Sequence, residues 1–163
     1  MNHHHPFRPG CSRFASSSPA FAADGGPSFP IAEVDAIDDA ATALALINEF
    51  ASRPQAHETL AVLLDREHRG TTILNVDGTV DNDSVLWVAD HVTDVAHRVD
   101  GVDAVIIASY RPGGSDELDD IDRWLTIDEQ LGLVGIELVE WFVIGNAVSC
   151  PRSLLGDTSR WAA

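Results

Sequence analysis

Residues 102–121 read VDAVIIASYRPGGSDELDDI, and this stretch decides the fold because it joins a buried strand, a sharp loop and a helix. The almost unbroken apolar run over 102–108 is typical of a strand that is buried on both faces. The Pro-Gly-Gly sequence at 112–114 predicts a tight loop. Ser115, followed by acidic residues, predicts a helix N-cap with carboxylates in the first turn. Loops held by rigid elements in this way are where proteins commonly carry functional side chains.

The flanking segments predict an alternation of helices and strands. Apolar residues at helical spacing predict helices over about 35–52, 84–99 and 116–131, and β-prone runs predict strands over 58–65, 71–76, 102–108, 136–144 and 147–150. Asp35 is expected to cap the first helix, and Asp83 or Ser84 the second. The third helix is expected to turn four residues inward, namely Leu118, Ile121, Leu125 and Leu131. This order predicts a layered α/β fold, a mixed β-sheet with flanking helices.

Composition sets the domain organisation and excludes some partners. The chain has 163 residues, of which 45% are hydrophobic, and this is enough for one domain. Residues 1–30 are rich in Pro, Ser and Gly and predict a disordered N-terminal tail, 31–155 form the predicted domain, and 156–163 form a C-terminal tail. The formal net charge is −16 and lysine is absent, so we expect no nucleic-acid partner.

The compartment is expected to be a reducing cytoplasm. Cys11 and Cys150 are too few for a disulfide framework. The small-residue run at 19–22 follows no apolar segment, so we expect no signal peptide, and no stretch is apolar enough to span a membrane. The histidine run at 3–5 is expected to be incidental.

Several polar or aromatic side chains could have either a purely structural role or a functional one. The acids and histidines of the second helix are expected to form a solvated face rather than a metal site; they are Asp90, His91, Asp94 and His97. His57 and Glu58 are expected at a surface edge. Cys150 has no cationic neighbour that would lower its pKa. Trp87 falls among polar helix positions, where an exposed ring anchors a partner or covers a sheet edge, and both alternatives stay open.

A set of short motifs follows the same order as a known family. The motifs are Leu63-Leu64-Asp65, Gly78-Thr79, Val105-Ile106-Ile107-Ala108, Pro112, Gly114, Asp120-Ile121, Leu133-Val134-Gly135-Ile136 and the run over 138–145. In this order they resemble the RadC branch of the JAB/MPN (JAMM) domain family, over about 58–145. The resemblance implies a JAB/MPN (cytidine-deaminase-like) architecture. Active relatives are similar to zinc hydrolases with a His-x-His-Pro-Ser-Gly loop, a downstream Asp ligand and an upstream Glu that acts on the metal-bound water.

The resemblance implies that the metal site is degenerate here. By position, Ser109 and Arg111 stand where the two histidines would be, Pro112 and Gly114 match, and Asp120 matches the third ligand. Residues 71–76 contain no acid to serve as the upstream Glu. A guanidinium does not deprotonate and repels a dication. We therefore expect no zinc and no other cofactor, and a non-catalytic binding or assembly module, a pseudoenzyme whose protein partner and oligomeric state the sequence leaves open.

Three alternatives remain for this loop. Arg111 is expected to pair with Asp120 or Glu117 across the former metal pocket, and it could instead bind an anion beside the glycine amides of the loop. A divergent metal-dependent hydrolase or isopeptidase would need Asp120 together with acids such as Glu67 or Asp77. Ser109 lacks the Gly-x-Ser-x-Gly elbow of a nucleophile and is expected to be a serine at the edge of the core.

Overall fold

The fold is one mixed β-sheet with helices on both of its faces. The computed structural model describes residues 10–13 and 29–156, with side chains described for 29–156. The strands are β1 (Gly10–Arg13), β2 (Glu58–Leu64), β3 (Gly70–Asp77), β4 (Ala104–Tyr110), β5 (Glu137–Ile144) and β6 (Val148–Ser149). The helices are α1 (Ala40–Phe50), α2 (Ser84–Ala96) and α3 (Asp120–Leu133), and a 3₁₀ helix, Pro151–Leu155, follows β6. The predicted layered α/β fold is confirmed.

The strand order is β1-β3-β2-β4-β5-β6. β4 and β5 pair in parallel, and all other neighbours pair antiparallel. β2 and β4 occupy the middle of the sheet, and all seven residues of each are buried, as the apolar run over 102–108 predicts. The register pairs Glu58 with Tyr110 and Leu64 with Ala104, so the first residue of β2 lies beside the last residue of β4.

The two faces of the sheet carry separate hydrophobic cores, because successive side chains of a strand point to opposite faces. Leu60, Val62 and Leu64 pack with residues of α1. Ala61 and Leu63 pack with residues of α2 and α3 on the other face. Within residues 29–156, none of the helices combines the length and the apolarity that crossing a membrane requires.

The predicted tails are described only in part, and the first helix begins later than predicted. Of the predicted tail over 1–30, the structure describes only Gly10–Arg13, which is a strand, and residues 29–30. Residues 157–163 lie outside the described residues, so disorder stays a prediction. The prediction that Asp35 caps α1 is wrong. Asp39 is the N-cap and accepts a 2.7 Å hydrogen bond from the Thr42 amide, whereas Asp35 accepts one from the amide of Ile31.

The start of α3 also differs from the prediction. The helix begins at Asp120 rather than near 116, and Ser115 is not its N-cap. The set of residues that face the sheet also differs: Leu118, which precedes the helix, is 80% exposed and Leu125 is exposed, while Trp124, Ile127 and Leu131 are buried. The expected inward role of Leu118 and Leu125 is therefore wrong. The buried set follows helical spacing counted from Asp120, which is itself buried.

Glu58 is the clearest buried acid that the sequence analysis misplaced. The sequence predicts a surface edge, but the Glu58 side chain is buried, and β2, which carries it, lies between β3 and β4. Its carboxylate accepts hydrogen bonds from the amide and hydroxyl of Ser52, at 2.6 and 2.9 Å, and from the Asn75 amide nitrogen at 2.9 Å. These donors satisfy the oxygens of the buried carboxyl group. They come from two other segments of the chain, so the neighbourhood of Glu58 in sequence does not reveal them.

Candidate functional site at the end of β4

The loop after β4 is held against the end of β5 by main-chain hydrogen bonds. The Arg111 amide donates to Ile144 O at 2.8 Å, the Gly114 amide donates to Arg111 O at 2.8 Å, and the Asn146 amide donates to Gly114 O at 2.9 Å. A Cβ on Gly145 would lie 2.3 Å from Gly114 O, so only glycine fits this close approach. The backbone of Arg111 is thereby fixed at the edge of the core.

Arg111 and Asp120 form a bidentate ion pair inside the protein. Arg111 Nη1 lies 2.7 Å from Asp120 Oδ2, and Arg111 Nη2 lies 2.8 Å from Asp120 Oδ1. Arg111 is 6% exposed and Asp120 is 0% exposed. The prediction that Arg111 pairs with Asp120 or Glu117 is confirmed, and Asp120 is the partner. Two parallel hydrogen bonds to one carboxylate are the geometry for which a guanidinium is best suited.

Asp120 accepts four hydrogen bonds in total. Besides the two from Arg111, Oδ1 accepts one from Arg123 Nη1 at 2.9 Å, and Oδ2 accepts one from the Glu117 amide at 2.8 Å. Burial alone would raise the pKa of the Asp120 carboxyl, but the hydrogen bonds from Arg111, the Glu117 amide and Arg123 outweigh burial and lower the pKa. The carboxyl is therefore ionised at neutral pH, with both oxygens engaged.

Arg123 is a second cation at this site, and the sequence analysis missed it. Its Nε donates to Asp83 Oδ1 at 2.7 Å, so it joins the start of α2 to the first turn of α3. Burial works against the charged form, but the hydrogen bonds to Asp83 and Asp120 raise the pKa of the guanidinium above its ordinary value. The available signal was its position three residues after Asp120, where helical side chains meet.

Ser109 lies on the same side of the sheet as this ion pair and acts as a hydrogen-bond acceptor. Trp141 Nε1 donates to Ser109 Oγ at 3.1 Å, and Thr59 Oγ1 donates to it at 3.3 Å. Thr59 also contacts Thr79, with 3.0 Å between the two hydroxyl oxygens. The interpretation of Ser109 as a serine at the core edge is confirmed, because it is buried and its described partners include no base.

Trp141 connects the two halves of the site. Its ring lies 5.9 Å from Arg111 Cζ, measured to the ring centroid, while its indole nitrogen binds Ser109. The guanidinium therefore has an aromatic face on one side and the Asp120 carboxylate in its plane. The structure thus brings together three of the residues that the sequence singled out: Ser109, Arg111 and Asp120.

The other candidate ligands do not join them. Glu67 Oε2 accepts a hydrogen bond from Arg69, after the end of β2 that is remote from Arg111. Six residue steps along β2 correspond to about 20 Å, so the proposed recruitment of Glu67 beside Asp120 is wrong. Asp77 is the β3 residue opposite Glu58 in the sheet, so it lies at the same end of the sheet as Arg111. Among residues 29–156, no group of three or more His, Cys, Asp or Glu side chains is arranged to hold a metal ion.

Of the remaining sequence candidates, Asp90, His97 and Cys150 have ordinary structural roles. On α2, Asp90 accepts a hydrogen bond from Gln130, and His97 Nδ1 contacts Thr93 O at 2.7 Å. Burial, followed by the negative charge of Glu140, raises the pKa of the Cys150 thiol to about 12, which agrees with the prediction that this thiol is not activated. The histidine run at 3–5 lies outside the described residues.

Comparison with known proteins adds no family assignment. No family model matches the chain, and none of the curated proteins matches it either.

Proposed function

We propose that the chain is a RadC-like JAB/MPN (JAMM) domain with cytidine-deaminase-like architecture, in which a fixed arginine replaces the metal of active relatives. It acts as a non-catalytic binding or assembly module, in the reducing cytoplasm and without a nucleic-acid partner. The observation that carries this proposal is the buried bidentate pair between Arg111 and Asp120. Arg111 stands at a position that resembles a metal ligand of the family, and Asp120 at another.

The donor set of this site does not fit zinc. Zinc requires ligands with free lone pairs, and a guanidinium has none. Both oxygens of Asp120 already accept hydrogen bonds from cationic groups, and Ser109 offers a neutral hydroxyl that is held by Trp141 and Thr59. The two guanidinium groups of Arg111 and Arg123 together supply the charge of a divalent cation beside Asp120. Metal binding at Asp120 Oδ2 would have to displace Arg111.

Anion binding at the loop is less well supported than the internal pair. Both terminal nitrogens of Arg111 donate to Asp120, and Nη1 lies 3.3 Å from Ser115 O as well. The amide of Gly114, which would have helped to bind an anion, donates to Arg111 O within the loop turn. A phosphate or carboxylate would therefore compete with a preformed carboxylate for the same guanidinium.

The test is to restore the missing ligands. In a chain with His3, His4 and His5 changed to alanine, Ser109→His combined with Arg111→His places two imidazoles near Asp120, whose Oδ2 no longer binds Arg111. We expect one zinc ion per chain in this variant by elemental analysis and calorimetry, and loss of that zinc when Asp120→Asn is added. The parent chain is expected to retain no zinc after dialysis.

Two results would contradict the proposal. A folded double variant that binds no zinc would remove the support for a JAB/MPN-like metal position. Stoichiometric zinc or manganese in the parent chain, lost on Asp120→Ala, would favour the divergent metal-dependent hydrolase instead. A peptidase or isopeptidase assay of the same samples then decides whether the bound metal is catalytic.

A further inference from the structure

A surface groove lies between the end of β3 and the first turns of α2. Its volume is about 220 Å³, and the residues that line it include Val76, Thr79, Trp87 and Val88. Val76 and Val88 are buried and form an apolar floor, whereas Trp87 is 68% exposed and forms a wall. An exposed indole beside an apolar depression is a common arrangement of an interface anchor and its pocket.

The size of the groove favours a side chain of a peptide over a whole cofactor. Pockets that bury small-molecule ligands usually measure about 300–1,000 Å³. A groove of about 220 Å³ instead has room for one or two aliphatic side chains. We therefore consider a polypeptide that inserts an aliphatic residue between Trp87 and the end of β3.

The charges around the groove favour a basic partner. Asp77 lines the groove and is exposed, and Asp81 and Asp90 are exposed at neighbouring positions of the same segment. The lining contains neither Lys nor Arg, and its one imidazole is that of His91. Arg123, which reaches the start of α2, is bound to Asp83 and Asp120 and does not neutralise Asp77. With a net charge of −16, the protein attracts cationic segments and repels acidic ones.

We propose that this groove binds a segment of a partner protein in which an aliphatic residue stands next to an arginine or lysine. This proposal rests on the proposed function as a binding module and names its partner chemistry. The aliphatic side chain occupies the apolar floor over Val76 and Val88. The neighbouring cation lies over the face of Trp87 and within reach of Asp77, so that a cation–π contact and a charge interaction act together.

The groove also adjoins the site at the end of β4. Thr79 lines the groove and is hydrogen-bonded to Thr59, which donates to Ser109. The position corresponding to a lost metal ligand and the proposed docking groove therefore belong to one hydrogen-bonded region. A segment in the groove would contact Thr79, at the edge of this hydrogen-bonded region. It would not need access to Arg111, which is buried.

The experiment uses the full chain and a short fluorescein-labelled peptide of alternating leucine and arginine, followed by fluorescence anisotropy. Matched peptides carry citrulline or glutamate in place of arginine. We expect Trp87→Ala to weaken binding of the arginine peptide at least about tenfold, and Asp77→Asn about threefold, with a smaller effect at high salt. Leu133→Ala and Asp122→Asn, at exposed positions outside the lining of the groove, are the controls and should bind like the parent chain.

Three outcomes would overturn this proposal. One is binding weaker than about 1 mM by the parent chain, and another is equal binding of the arginine and glutamate peptides. The third concerns the protein's own N-terminal segment, because β1 begins at Gly10 opposite Asn75, the residue before Val76. If Phe7→Ala strengthens peptide binding tenfold, that segment is the occupant instead of a partner. Restored zinc binding at Asp120 decides the proposed function separately, so the two failures are distinguishable.

Discussion

Replacing Arg111 by alanine should be among the most destabilising single changes to a charged residue of this protein. The substitution removes both hydrogen bonds from Arg111 to Asp120, at 2.7 and 2.8 Å, and the contact with the Trp141 ring. Asp120 is 0% exposed, so its carboxylate depends on protein donors in the folded state. Removing one partner of a buried ion pair costs about 3–5 kcal/mol because the other charge stays buried and poorly compensated.

The expected magnitude lies at the lower end of that range. Asp120 keeps two donors in the variant, Arg123 Nη1 and the Glu117 amide, and these continue to stabilise the carboxylate. We therefore expect a loss of about 3 kcal/mol in the free energy of unfolding, which corresponds to a fall of roughly 10 °C in Tm for a domain of this size. Because both partners are buried, the effect should depend little on salt.

The assay is urea unfolding followed by tryptophan fluorescence and circular dichroism, with Arg66→Ala as the control. Arg66 is exposed, and its removal should change the free energy of unfolding by less than about 0.5 kcal/mol. A double-mutant cycle with Asp120→Ala should give a coupling energy of about 2 kcal/mol between the two side chains. If Arg111→Ala costs no more than Arg66→Ala, the ion pair does not stabilise the fold and our account of the site is wrong.

Three further predictions follow from other contacts. The pKa of Asp120 is lower in the folded state than its ordinary value of 3.8, so the stability that this carboxylate contributes is present above pH 3.8 and is lost as the pH falls through the folded-state pKa. The difference in the free energy of unfolding between the parent chain and Asp120→Asn, measured by urea unfolding, should therefore shrink at acid pH. Burial, and then the charge of Glu58, raises the pKa of Tyr110 to about 12. As this is the sole tyrosine, phenolate absorbance should titrate near that value, and a midpoint near 10 would contradict the burial. Gly145→Ala should lower Tm because its Cβ would lie 2.3 Å from Gly114 O, whereas Gly132→Ala, in α3 with open space around it, should leave Tm unchanged or raise it.

The fold could be predicted from the sequence where burial alone sets the pattern. The run over 102–108 is apolar at nearly every position because β4 is covered on both faces by helices, and the structure places the strand at Ala104–Tyr110. The start of α3 could not be predicted in the same way. Ser115 and the acids after it are typical of a helix start. In the structure, however, the Glu117 amide donates its hydrogen bond to the carboxylate of Asp120, which lies further along the chain.

The candidate site was predictable only in part, for a similar reason. The resemblance to the family's metal positions implied that Arg111 pairs with Asp120 or Glu117, and the structure shows that Asp120 is the partner. The roles of Trp141 and Thr59 depend on strand register: β5 and β2 lie on the two sides of β4, and the partners of Ser109 are 32 and 50 residues away in the chain. Register of this kind is set by the whole sheet, and local patterns do not encode it.

The chemistry of the ion pair also limits where this protein can contact a partner. The Arg111 side chain donates to a buried carboxylate and lies over the Trp141 ring. It cannot change conformation without removing donors from Asp120, whose buried charge would then be poorly compensated. A metal site with an open coordination position can exchange ligands, whereas this pair is closed and rigid. The proposed binding module would therefore use surfaces that are free in the folded state, and the groove beside Trp87 meets that condition, since its indole is exposed while its floor is apolar. On this argument, the double variant Ser109→His with Arg111→His should keep its affinity for the arginine peptide, because neither residue lines the groove.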